Sequence, residues 1–248
     1  INAELAKLNT FNLKNRFSEN DHLIVCISWT YGSGGVNIGF KLADKLKINF
    51  YDAEIFEAVL KRLEAQKDSI QDSVSYGIKP GIKKEPAHDQ DANVNPSEAF
   101  IPERHLTLRQ RMREFSRFHG LPKRDAVFFN ESDLLVDMAK KEDFVILGRC
   151  GDAIMANNNI PHISIYITAP FEQRIKRAME IDSSLTVKQA RHMLKHLDHV
   201  HSQYYHYYTN RNWGHSNNYD LCINSASYGI DGTVDFIYRM ITAREEDK

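Results

Sequence analysis

Leu23-Ile24-Val25-Cys26-Ile27-Ser28-Trp29-Thr30-Tyr31-Gly32-Ser33-Gly34-Gly35-Val36-Asn37-Ile38-Gly39 is the stretch whose reading decides the fold. Its first five residues form an apolar run that breaks abruptly at turn residues, as a buried strand does. Beyond the glycines, Ile38, Leu42 and Leu46 recur every four residues and share one face of a helix predicted over Val36 to Leu46. Strand, glycine loop and helix therefore follow in order. Glycines admit positive φ, so main-chain N–H groups can converge on an anion, and the helix N-terminus adds partial positive charge behind them. The expected ligand is a nucleotide phosphate. The loop departs from the pattern G-x-x-x-x-G-K-[ST], because Trp29 replaces the first glycine and Gly35 the lysine. Binding and catalysis are thus separate questions for this chain.

Outward from the loop, Ile48 to Tyr51 reads as a second strand, and Asp52 is placed to cap a helix carrying Ile55, Phe56, Val59, Leu60 and Leu63. From Lys67 to Arg104 periodicity collapses, and four of the seven prolines fall there, which predicts a mobile loop or lid. Helices are predicted near Leu106 to Phe118 and Asp125 to Lys141. Strands follow at Phe144–Leu147, Ile163–Ile167 and Tyr219–Ile223, interleaved with a helix after Pro170, a long helix from about Thr186 to Tyr208 and a last one near Asp231 to Ala243. Strands alternating with helices predict a parallel sheet covered on both faces, with ligands at the strands' carboxyl ends.

The 248 residues suit one principal domain, residues 21–248, behind an N-terminal extension 1–20, with a flexible insertion at 67–104 and a lid region about 170–215. Basic and acidic side chains number 32 and 33, so no global charge favours nucleic acid or an anionic membrane. The three cysteines lie in or beside apolar runs, as small buried hydrophobes do, which fits a reducing, cytoplasmic setting. No apolar run reaches the roughly 18 residues of a membrane span.

The chain resembles the cytidylate kinase-like family, relatives of the nucleoside monophosphate kinases of the P-loop superfamily. The resemblance runs over about Leu23 to Ile241. It rests on Ile27-Ser28 with Tyr31-Gly32-Ser33-Gly34-Gly35 and Ile38-Gly39, on Phe50-Tyr51-Asp52, on Val145 to Cys150, and on Tyr204-Tyr205 ahead of Trp213-Gly214 and Tyr219 to Asn224. It implies a three-layer α/β P-loop kinase core: a five-stranded parallel sheet, helices on both faces and a mobile lid. It also implies transfer of the γ-phosphoryl group of ATP to a nucleoside monophosphate, with Mg²⁺. Against the family pattern, Val36 and His201 stand where arginines are common, Asn37 where a hydroxyl would help hold magnesium, and Leu147 where true cytidylate kinases carry an acid. One well-placed arginine is worth about a thousandfold in phosphoryl transfer, so these losses bear directly on rate.

The candidate donor-binding residues are Tyr31, Gly32, Ser33, Gly34, Gly35 and Asn37. Ser33 either donates its hydroxyl or shapes the turn, and Trp29 and Tyr31 either stack on a base or pack in the core. Arg149, just beyond a strand, offers a planar fork for phosphate oxygens, or else pairs with a nearby acid. Asp52 orients the acceptor or caps its helix. Arg174 and Arg177, three apart on one helix, face the same side and reach a lid or phosphate, and Lys195 and Arg211 are further substitutes for the missing cations. Asp198 is a candidate for magnesium through water or for a lid cation. A His201 in an arginine's place would titrate near 6.5, so activity would improve in mild acid. His192, His196 and His199 share a helix face without the H-E-x-x-H signature, and no metal site is assigned to them.

Two functions from different classes follow. The first is a kinase acting on a nucleoside monophosphate or other small acceptor, with Arg149, Arg174, Arg177, Asp198, His201 and Arg211 as its catalytic set. The alternative is a catalytically impaired nucleotide-binding regulator.

Overall fold

The computed structural model describes residues 13–52, 61 and 123–246. One parallel sheet contains β1 (Ile24–Trp29), β2 (Asn49–Tyr51), β3 (Phe144–Leu147), β4 (Ile163–Thr168) and β5 (Leu221–Asn224), in the spatial order β2-β3-β1-β4-β5. The helices are α1 (Leu13–Arg16), α2 (Gly35–Leu46), α3 (Lys123–Ala139), α4 (Gly151–Asn157), α5 (Phe171–Ile181), α6 (Val187–Thr209) and α7 (Ser225–Glu246). The expected α/β core of five parallel strands between helical layers is therefore present.

The apolar run at Leu23 to Ile27 has its cause in this order. β1 is the central strand, paired on both edges and buried along its whole length, so neither of its faces needs polar side chains. Its residues still alternate between layers. Val25, Ile27 and Trp29 join Ile38 and Leu42 of α2 and Val234, Ile237 and Ile241 of α7. Ile24 and Cys26 join Val127, Leu135 and Met138 of α3 and Ile154 and Met155 of α4. A third cluster brings Ile175 and Ala178 of α5 and Ala190, Leu194 and Leu197 of α6 onto Tyr31.

The structure moves several boundaries. β1 continues through Ser28 and Trp29, which pair with Tyr166 and Ile167 of β4. α7 begins at Ser225 and breaks at Gly229 (φ 68°, ψ 176°) before the stretch predicted from Asp231. α6 starts beside the predicted Thr186, whose hydroxyl and Gln189 close a reciprocal cap. α4 was not foreseen. Cys222 is exposed on the edge strand, contrary to the expectation that all three cysteines are buried. The readings at Ile55–Leu63 (Lys61 apart), 67–104 and Leu106–Phe118 lie outside the described residues.

The N-terminal segment does structural work. Leu13 and Phe17 pack against the core, and Arg16 donates to the His162 carbonyl and to both carboxylate oxygens of Asp220, each at 2.8 Å. Asp220 also accepts from the Ser164 amide and hydroxyl, tying β4 to the start of β5. Burial opposes the charge on Asp220, but the hydrogen bonds from Arg16 and Ser164 outweigh it and hold the carboxyl below its ordinary range. Stability from a lowered carboxyl is complete above its unfolded value of about 3.9 and disappears as pH falls through the folded one. Arg16→Ala is expected to lower the unfolding free energy by about 1–2 kcal/mol at neutral pH. In urea unfolding at about pH 7 and pH 3, the gap between wild type and variant should narrow at the acid end.

Candidate functional site

The loop after β1 is built almost entirely from main chain. The Thr30 amide extends the β1–β4 ladder to the Ile167 carbonyl at 3.0 Å, and the Ser33 amide closes a turn on the Thr30 carbonyl at 3.1 Å. Gly32 and Gly34 adopt φ of 77° and 80°, where a side chain would be strained. Gly34 caps α2 with no side-chain hydrogen bond, so the leading amides of that helix open toward the carboxyl end of the sheet. Ser33 shapes the turn: it is buried, and its hydroxyl donates to the Ile167 carbonyl at 3.3 Å. Ser225 closes the loop from below, donating to the carbonyls of Ser33 and Thr168 at 2.7 and 3.2 Å.

A buried ion pair fixes the other end of the loop. Arg174 donates to Asp198 at 2.7 Å and to the Tyr31 carbonyl at 3.0 Å, while the Tyr31 amide donates to Asp198 at 3.1 Å. Both hydrogen-bonding groups of one residue's main chain are thus held by α5 and α6. Burial raises the Asp198 carboxyl, with the Arg174 and Tyr31 hydrogen bonds acting against that rise. This placement corrects two readings. Arg174 is buried behind the loop rather than facing outward beside Arg177, and Asp198 is committed to a guanidinium and an amide rather than offered to magnesium. The Tyr31 ring is likewise core, at 5 % exposure, so Tyr31 is removed as a ligand-stacking residue.

Trp29 explains the missing lysine. A Cβ on Gly35 would lie 2.3 Å from Trp29 Cγ and 2.4 Å from its Cβ, so no side chain at position 35 coexists with this indole. Trp29 also meets Tyr31 and His201 at ring separations of 6.0 and 5.8 Å, and His201 stacks on Trp213 at 4.8 Å. Enclosure by these rings pushes the His201 imidazole down to about 4, assisted by the charge of Arg149. His201 is therefore neutral throughout the physiological range and replaces no arginine. The expected gain in mild acid has no basis in this residue.

On the opposite side of the loop a cleft of about 180 Å³ is lined by Gly32, Ser33, Gln173, Arg177, Ser225 and Gly229, with Lys176 also on its wall. The Arg177 guanidinium carbon lies 3.2 Å from where a Gly34 Cβ would be. Arg177 thus stands at the Gly34 edge of the loop. Asn37 is half-buried in the first turn of α2.

The end of β3 forms a second centre. Gly148, Arg149 and Cys150 have φ of 65°, 55° and 56°, a left-handed run that costs about 1–2 kcal/mol for each residue bearing a side chain. It turns Arg149 toward Glu131 of α3, with Nε 3.6 Å from Oε1, and within the field of Asp52, Tyr204 and Tyr31. Both oxygens of Glu131 are buried with no hydrogen bond. Burial raises this carboxyl to about 7, against the pull of Arg149. Sequence reasoning missed Glu131, although a signal existed: it interrupts the apolar stripe of Val127, Leu135 and Met138 at the position where a core residue belongs.

The remaining candidates disperse. The charge of Arg211 reaches Asp152, which accepts from Tyr205 at 2.6 Å. Lys195 lies over the Phe171 ring at 5.9 Å. His192, His196 and His199 are exposed, and among the described residues no group of three His, Cys, Asp or Glu could hold a metal. Asp198 is engaged by Arg174 and the Tyr31 amide and so is not offered to magnesium, and Asn37 presents an amide where the resemblance expects a hydroxyl. Among the described residues no helix is long and apolar enough to cross a membrane.

Solved structures similar to this chain include an uncharacterized protein from Eubacterium ventriosum ATCC 27560, at 21% identity and a TM-score of 0.60 over 90% of this chain and 99% of that one. A shikimate kinase from Bacteroides thetaiotaomicron matches at 12% identity and 0.43 over 88% and 98%. A gluconokinase from Sinorhizobium meliloti 1021 matches at 9% identity and 0.44 over 92% and 98%. No curated protein matches by sequence. The family model described as cytidylate kinase-like covers residues 24–227, from β1 into the first turn of α7, and with a glycine loop at the head of a five-stranded parallel sheet the chain belongs to that family and has the P-loop α/β kinase fold.

Proposed function

We propose that the protein binds ATP at the Gly32–Gly35 loop and transfers its γ-phosphoryl group to a small acceptor, a nucleoside monophosphate of the cytidylate type. The observation that carries this reading is the cleft opening on Gly32 and Ser33 with Lys176 and Arg177 on its wall. The phosphates meet the α2 amides and the Arg177 guanidinium beside this cleft, and the nucleoside extends from it toward solvent. Arg149 and Asp52, brought together at the ends of β3 and β2, serve the acceptor. The helix pair from about 170 to 215 is the lid, anchored through Arg174 and Asp198. Mg²⁺ enters on the nucleotide's own phosphates, where it neutralises charge, and the residues of this chain position the phosphates around it.

A second reading, a nucleotide-binding regulator without transfer activity, is favoured by the Trp29–Gly35 contact and by the neutral His201. The aromatic cluster supplies no charge where developing negative charge needs it.

Calorimetric titration with ATP is expected to give saturable binding, and Arg177→Ala to weaken it about tenfold, the worth of one charge-assisted hydrogen bond. Unchanged affinity in the variant would remove Arg177 from the site. Labelled γ-phosphate supplied with each nucleoside monophosphate between about pH 5.5 and pH 8 separates the two readings: a labelled diphosphate marks the kinase, tight ATP binding without product marks the regulator. Gly35→Ala forces a Cβ into Trp29 and is expected to cost about 1–3 kcal/mol, read by urea unfolding. In a Trp29→Ala background, which carries its own core loss, the same substitution should cost less, and the double-mutant cycle reads the difference.

A further inference from the structure

Glu131 is a residue with no assigned task and an unsatisfied chemistry. It is fully buried on α3, both its oxygens lack hydrogen bonds, and its nearest cation is Arg149 at 3.6 Å. A carboxylate in that state costs several kcal/mol unless its position does something a core leucine could not. Its neighbours on the same face, Val127 and Leu135, are ordinary core residues, so the acid is the exception in its own stripe. Arg149 is equally unusual. It sits in the middle of three successive left-handed residues, an arrangement that aims its side chain at α3 instead of along the strand.

We propose that Glu131 is the positioning residue of Arg149: it holds the Nε side of the guanidinium so that the two terminal nitrogens face the acceptor as a fork, and a proton on Glu131 releases that hold. The inference rests on the reading of Arg149 as an acceptor-binding residue. The groups facing the pair are few among the described residues. Cys150 adjoins Arg149, and Tyr204 of α6 faces both partners, while Asp52, Tyr31 and His201 face Arg149. Burial pushes the thiol of Cys150 and the phenol of Tyr204 up, and pushes His201 down to about 4, so all three stay neutral between pH 5.5 and 8. Glu131, raised by burial to about 7, gains its charge within that window. Below the midpoint the carboxyl is protonated and Arg149 loses its brace; above it the pair is formed. Arg149 itself remains charged throughout, as any guanidinium does.

The test uses the full chain and two readouts. The first is the Nε–H resonance of Arg149 in ¹⁵N-edited spectra, assigned with Arg149→Lys. It should shift with a midpoint near pH 7 in wild type and stay flat in Glu131→Gln. The second is the Kd of cytidine monophosphate by calorimetry. Glu131→Gln should bind about fivefold more weakly than wild type at pH 8 and equally at pH 6. The second ionisation of the nucleotide phosphate acts on both proteins alike, so the ratio isolates Glu131. Glu131→Gln keeps the shape of the side chain but leaves the Arg149 guanidinium without its carboxylate, so the variant is expected to melt below wild type at pH 8 and closer to it at pH 6, where the wild-type carboxyl is protonated. An Nε–H titration that persists in the variant, an affinity ratio that does not change with pH, or tighter binding by the variant would overturn the proposal. If the resonance titrates as expected while Arg149→Lys leaves the Kd unchanged, the brace stands and the acceptor assignment of this crevice falls.

Discussion

The main chain of Tyr31 is the point on which the rest of this architecture depends. Arg174 and Asp198 grip its carbonyl and amide from α5 and α6, at 3.0 and 3.1 Å, while Ser225 holds the Ser33 carbonyl from the head of α7. The loop between strand and helix is therefore not a free glycine turn. It is clamped by three helices that arrive from distant parts of the sequence. A buried ion pair is weak evidence for net stability, because desolvation offsets most of the attraction, but it is strict about geometry. Removing either partner would leave a charge stranded in the core and a peptide group unpaired. The pair converts loose glycines into a surface of defined shape.

That clamping commits one of the two arginines of α5 to the loop itself. Arg174 lies beside the loop yet is spent on holding it, and Arg177, one turn further along α5, stands on the Gly34 edge. The same spacing of three that suggested a shared face instead places one guanidinium behind the loop and the other at its Gly34 edge. Trp29 divides the site again. Its ring lies against Gly35 and stands between the Arg177 side and the Gly148–Arg149 turn, in contact with His201. Positive charge is found on both flanks and aromatic surface in the middle.

The fold was legible because its signals are local and strong. A central strand buried on both faces must be continuously apolar, and β1 is; a glycine loop must precede its helix, and Gly32 to Gly35 do. The motifs of the cytidylate kinase-like family were legible for the same reason. Side-chain partners were not, since they depend on which elements the topology brings together. Nothing near Arg149 in sequence indicates Glu131, eighteen positions earlier on another element, and the left-handed turn that joins them contains only one glycine. His201 illustrates the opposite error. Its position in the motif suggested a titrating cation, whereas its rings of neighbours, Trp29, Tyr31 and Trp213, make a charge there unfavourable. Cys222 was misjudged because an apolar run at a sheet edge is exposed on one flank that a central strand lacks.

The division of charge around Trp29 bears on what the site can achieve. Phosphoryl transfer needs positive charge at the moving group, and backbone amides with one guanidinium satisfy the ground-state phosphates better than the transition state. An aromatic wall excludes water and lowers the local dielectric, which strengthens every remaining interaction, but it contributes no positive charge, and the indole N–H groups of Trp29 and Trp213 are buried without partners. Cations must then approach from Arg177 on one flank and Arg149 on the other. Their distance from the transferring group depends on how the phosphates seat against Gly34 and how firmly Arg149 is braced. In an ordinary loop the lysine bridges these halves by itself. Here Gly35 supplies no such bridge, and Trp29 fills the space that a side chain at position 35 would occupy.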